Sequence, residues 1–120
     1  MTTIRKNPRI VKALIREIDG TIQKYGRQTI REVVQDLVVR NILRSPHPTD
    51  DQVLRVIYQT GVLRMSVEPK MAEMHSLLER YTRGQLGLCT RCRGRIEASL
   101  LEQLPSSTLC RSCRKSEGVR

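Results

Sequence analysis

Residues 89–113 read CTRCRGRIEASLLEQLPSSTLCRSC and hold all four cysteines of a 120-residue chain, as two CxxC pairs separated by 17 residues. Each pair can close a tight turn that presents two sulfurs to one side of a metal ion, and a second pair returning from the far side completes a tetrahedral sphere. The separation falls within the range of zinc sites. Cys89, Cys92, Cys110 and Cys113 are therefore the expected ligands of one structural zinc ion. Four thiolates leave no open position for water or substrate, so no hydrolytic chemistry is expected there. Redox CxxC pairs would need a low-pKa thiolate at a helix start in a βαβ setting, and the surrounding pattern offers none. Arg91, Arg93, Arg111 and Arg114 beside the pairs favour deprotonated thiols, which metal binding requires.

The rest of the composition gives such a staple a purpose. The chain has no Phe, no Trp and three Tyr, so its core must come from Val, Ile, Leu and Met, which bury less area per side chain than aromatic residues do. A thin core in a small domain gains from a metal. The net charge is +10, and the basic groups gather at the ends. Residues 1–45 carry 10 basic and 4 acidic groups, residues 46–82 carry 4 and 5, and residues 83–120 carry 8 and 3. This balance points to a polyanion or to an acidic protein surface. No apolar run approaches the roughly 20 residues of a membrane span, and MTTIRKNPRI has no apolar signal core. A cytoplasmic location with no membrane partner is expected, where thiols stay reduced.

Upstream of the cysteines the pattern is helical. Asn7 and Pro8 make a helix start, Ile10, Leu14, Ile18 and Ile22 recur at every fourth residue, and Gly26 marks the stop. Thr29 and Glu32 form a capping-box pattern ahead of Ile30, Val33, Val34, Leu37 and Val38, and SPHP at 45–48 ends that helix, predicting 16 residues from Thr29 to Arg44. Thr49 and Gln52 repeat the box before Val53, Val56 and Ile57, with Gly61 as the stop. A fourth helix opens at Ser66 to Pro69, carries the seam Met71, Met74, Leu78 and Tyr81, and closes at Gly84. The expected fold is mainly α: a short helical hairpin or bundle over residues 1–83, followed by a four-cysteine zinc finger and tail over 84–120. His47 between two prolines and His75 on the fourth helix are read as surface or packing residues, since four thiolates complete the metal site.

The stretch LERYTRGQLGLCTRC (78–92), followed by Ile96, Leu101, Pro105 and CRSC, resembles the C4 zinc finger of the DksA/TraR family, bacterial regulators that bind RNA polymerase. The shared positions are Leu78, Arg80, Gly84 and Gly87, the two cysteine pairs, and the 17-residue excursion between them. The resemblance covers about residues 78–113. It implies a helical hairpin that enters the polymerase secondary channel, with the finger and its flanking helix at the rim. Leu86 stands at the family's aromatic position, and Arg93 replaces the Gly after the second cysteine, with Gly94 one place later. The family's acidic tip, DxxDxA, has no match. The nearest feature is PTDDQ, where Asp50 and Asp51 also read as the start of a helix, and a 16-residue second helix spans only about 24 Å.

Three function classes follow. One is a transcription regulator that binds RNA polymerase as a protein partner. Another is a basic module whose finger and first helix bind nucleic acid directly; a third, plainer class is a small zinc-stapled interaction adaptor with no transcription role. No Gly-rich phosphate loop, nucleophile elbow or free Cys and His pair is present in the sequence, so no enzyme is expected.

Overall fold

The computed structural model describes residues 7–45 and 47–116. The leading hexapeptide, Pro46 of the SPHP break and residues 117–120 lie outside them, and so do Arg5, Lys6 and Arg120 of the basic ends. The described residues form six helices: α1 (Pro8–Thr21), α2 (Ile30–Val39), α3 (Asp50–Thr60), α4 (Pro69–Thr82), α5 (Ala98–Gln103) and α6 (Arg111–Ser116). A single antiparallel bridge, Leu88 with Arg95, is the β-type pairing among them. None of these helices is long and apolar enough to cross a membrane.

The helix starts follow local chemistry. Asn7 accepts from the Arg9 and Ile10 amides, and Pro8 fills a first-turn position whose missing N–H costs nothing there. Thr29 with Glu32, and Thr49 with Gln52, close complete capping boxes that satisfy two orphan amides each. The helix ends depart from expectation. α1 widens into a π-helical turn (Ile22–Gly26), and the left-handed residue that closes it is Arg27, φ 57°, rather than Gly26. α2 is 10 residues long, not 16. Asn41 enters the left-handed region at φ 62°, its amide donates to Val38 O and the Ile42 amide to Leu37 O, a Schellman turn that stops the helix at Val39, well short of the prolines. At 1.5 Å per residue α2 spans about 15 Å.

The main core gathers Leu14 and Ile18 from α1, Ile22 from its π-helical turn, Leu54 and Ile57 from α3, and Met71, Met74, Leu78 and Tyr81 from α4. α1 therefore packs against both α3 and α4, with Asp19 Oδ1 accepting from the Ile30 amide at 2.8 Å to tether the start of α2. The rest of α2 leans on α3 through Val33, Leu37 and Val56 as a small satellite cluster. One interior position of α1 is unexpected: Gly20 is less favourable than Ala in a helix by about 1 kcal/mol, yet a Cβ there would meet no atom within 4 Å.

The cysteine module docks onto this body. Ile10, one residue of the α1 stripe, leaves the helical core and packs with Cys89, Ile96, Leu100, Leu101 and Cys110, bringing α5 against α1. Leu86 moves the opposite way: it follows α4 in sequence but is buried in the helical core. Each module thus contributes a side chain to the other's interior, so the junction near Gly84 is packed.

Candidate metal centre

The site is built from the end of α4 onward. Gly84, φ 71°, donates to Tyr81 O at 3.1 Å, and the Gln85 amide donates to Arg80 O at 2.8 Å, a complete Schellman turn. Gly87, φ 90°, makes a second reversal. A side chain at either position would be forced into a conformation that L-residues disfavour by about 1–2 kcal/mol. Between them Leu86 is pinned in the core, and Arg80 Nη2 donates to Leu88 O at 3.0 Å. The direction in which the finger leaves α4 is therefore set by two backbone reversals and one guanidinium.

The first knuckle follows. The Cys89 amide donates to Gly94 O at 2.8 Å and the Ile96 amide to Gly87 O at 2.8 Å, closing a small loop around Cys92. Inside it Arg93 takes φ 65°, its amide donates to Cys89 O, and the Gly94 amide donates to Cys92 Sγ at 3.4 Å. The second knuckle is the start of α6: the Arg114 amide donates to Cys110 O at 2.9 Å and the Cys113 amide to Cys110 Sγ at 3.5 Å. The Thr90 amide donates to Thr108 O at 2.9 Å and ties the two knuckles together. Glu97, at the mouth of α5, accepts from the Arg111 amide at 3.1 Å and so caps α6.

This scaffold brings all four sequence-predicted ligands together. The Sγ atoms of Cys89, Cys92, Cys110 and Cys113 lie within 4.8 Å of one another, and Cys92 and Cys110 are 3.8 Å apart. A tetrahedral thiolate site with bonds of about 2.3 Å has edges of about 3.8 Å, whereas a disulfide needs about 2.05 Å. The four thiols are free and spaced to hold a metal ion. Cys89 and Cys110 are buried, Cys113 is half-buried and Cys92 is exposed, so the cluster sits at the surface edge of the finger with Ile96, Leu100 and Leu101 behind it.

Its electrostatics suit a cation. The backbone N–H of Cys92, and next that of Cys110, lower Cys89 to about 6. Cys113 is pushed up to about 12, first by its hydrogen bond to the Cys110 thiol and then by burial. Thiols this close resist ionising together, and a bound metal cation would supply the charge that lets all four do so.

The other singled-out residues go elsewhere. Asp50 pairs with Lys12 at 3.0 Å. Asp51 pairs with Arg55 at 3.0 Å and accepts from the Tyr81 hydroxyl at 2.6 Å, so both acids brace the α1, α3 and α4 junction. His75 stacks on Tyr58 with ring centroids 5.1 Å apart, and His47 is exposed; neither joins the cysteines. Arg91, Arg93 and Arg111 are exposed around the knuckles and Arg114 is half-buried. Arg93 also lines, with Arg80, Leu88 and Thr90, a groove of about 260 Å³ beside the first knuckle.

Sequence reading did not find Glu97, Thr90, Thr108 or Ile10 as parts of the site. Glu97 just before a six-residue helix carries no local signal for capping a different helix 14 residues on. No protein-family model, curated protein or solved structure matches the chain.

Proposed function

We propose that the chain is a zinc-stapled transcription regulator of the DksA/TraR type, which docks on RNA polymerase as a protein partner through the finger and the adjoining end of α4. The metal of this reading is zinc, held by Cys89, Cys92, Cys110 and Cys113. Zinc suits four thiolates in a closed tetrahedron and supplies folding energy, with no vacant position for a substrate. The observation that carries the proposal is the junction. Arg80, Gly84 and Gly87, on which the resemblance rests, aim the finger, Ile96 and Leu101 fill it, Pro105 is buried in it, and Leu78 anchors the preceding helix in the main core.

Docking in this reading does not use an acidic tip. Asp50 and Asp51 are committed to Lys12, Arg55 and Tyr81, and α2 is too short to carry them away from the body. The contact surface is the exposed rim of the first knuckle, where Arg91 and Arg93 meet acidic groups of the partner. Such contacts weaken with salt through screening and hold without DNA.

Affinity capture from a nuclease-treated bacterial lysate tests this reading. Retention of RNA polymerase subunits, reduced by Arg91→Glu together with Arg93→Glu, is the expected result. Loss of polymerase on nuclease treatment would overturn it.

A further inference from the structure

Arg9, Lys12, Arg16, Gly20 and Lys24 recur at helical spacing and form one exposed stripe along α1 and its π-helical turn. Two grooves flank the stripe. One, of about 520 Å³ against α5, is lined by Arg9, Lys12 and Arg16 with Glu102. The other, of about 370 Å³ against α4, is lined by Arg16, Gly20, Lys24 and Lys70 with Glu17 and Glu73. Arg16 belongs to both, so the grooves join into one path of about 22 Å at 1.5 Å per residue. Several carboxylates near this path are already engaged. Asp50 pairs with Lys12 and Glu73 with Lys70, while Asp19 accepts from the Ile30 amide and Gln23. Glu17 and Glu102 remain. Arg9, Arg16 and Lys24 have no ion-pair partner among the described residues.

Gly20 lies on the path between Arg16 and Lys24. Its backbone is helical and a Cβ would meet nothing within 4 Å, so neither conformation nor packing asks for glycine. The missing side chain leaves bare backbone one turn from Arg16 on one side and from Lys24 on the other. Close approach of a ligand to the backbone is what glycine permits.

We propose that this stripe is a docking surface for the phosphate backbone of a nucleic-acid duplex, with a strand laid against α1 at Gly20 and its phosphates neutralised by Arg9, Arg16 and Lys24. Charge complementarity with a chain of net charge +10 argues for a polyanion. A duplex is favoured over a single strand because Tyr25 is the one aromatic side chain lining either groove, too few for base stacking. Contacts to phosphates alone give binding without sequence preference. The cations of this surface all lie outside the finger, which contributes only Glu102, Gln103 and Ser106 to the groove walls, and the surface does not depend on the polymerase reading.

The test is fluorescence anisotropy of the zinc-loaded chain with a labelled DNA duplex of roughly 20 base pairs and arbitrary sequence, across a salt series. Three free cations predict a log–log salt slope near −3, and Arg16→Gln or Lys24→Gln should each make it shallower by about one unit. Gly20→Leu should raise the melting temperature, because the helix gains a better former, and yet weaken binding about fivefold or more by filling the path. Arg91→Gln and Arg93→Gln should leave the slope unchanged. Absence of binding, or a slope that responds to the finger variants and not to those on α1, would overturn the proposal. So would a Gly20→Leu variant that binds like the parent.

Discussion

The hydroxyl of Tyr81, among the most deeply buried side chains of the chain, donates a 2.6 Å hydrogen bond to Asp51 Oδ1, joining the end of α4 to the first turn of α3. The same carboxylate holds Arg55 one turn along its own helix. An acidic group in the first turn also complements the helix dipole. Three separate interactions therefore converge on a residue that, read in sequence, resembles a free acidic tip.

Tyr81→Phe removes the donor while keeping the ring. A hydrogen bond to a charged acceptor is worth about 1.5–3 kcal/mol, and the part-exposed carboxylate can recover some of that from water, so a loss of about 1 kcal/mol is expected. Asp51→Asn should destabilise the chain as well, through Arg55 and Tyr81 together. Urea midpoints check both. An Asp51→Asn chain as stable as the parent would show that the carboxylate is free for another role.

The helix starts were legible because capping is local: Asn7, Thr29 and Thr49 carry their partners within three residues. The end of α2 was not, because Ile42 and Leu43 continue the apolar pattern past Asn41 and mask the one local stop signal, an asparagine able to turn left-handed. The ligand set was legible since its spacing belongs to the covalent chain. α5 and α6 were not; each has six residues, too short to persist by propensity, and α6 owes its cap to Glu97 across the finger. The stripe of α1 showed which face is buried but not that Ile10 and Leu14 enter different cores.

Glu97 gives a pH test of that cap. Its pKa is lowered, first by its own backbone N–H and then by the Arg111 amide. A lowered folded-state pKa means that its stabilisation is fully present above the ordinary carboxylate value and disappears as pH falls through the folded value. A carboxyl NMR titration of Glu97 should show a midpoint below that of the unfolded chain, and Glu97→Gln should fray α6 at neutral pH. A midpoint at or above the unfolded value would remove the cap from the account.

The joint between body and finger is expected to respond to Gly84→Val. With φ at 71°, a β-branched residue there strains the Schellman turn by about 1–2 kcal/mol while leaving all four cysteines in place. Zinc content should stay at one equivalent, and capture of the partner should weaken because the finger is aimed differently. Full stability together with full partner binding in the variant would show that the turn does not set the finger's direction.

Removing the metal should reach further than the finger. Ile10 packs in the same cluster as Cys89 and Cys110, and α5 lies against α1, so the first turn of α1 shares its support with the cysteine cluster. Elemental analysis of protein purified without chelator should find about one zinc per chain, and Cys110→Ser should abolish it. Hydrogen exchange on that variant should then rise through residues 84–116 and also in the first turn of α1. Amides of α3 and of α4 through Leu78 should stay protected by the separate core of Leu54, Ile57, Met74 and Leu78. Ile10→Ala, which costs about 2–5 kcal/mol at a fully buried site, should reproduce the loosening from the other side and lower zinc affinity without touching a ligand. If Ile10→Ala left zinc affinity unchanged, the finger would be folding independently of the helical body.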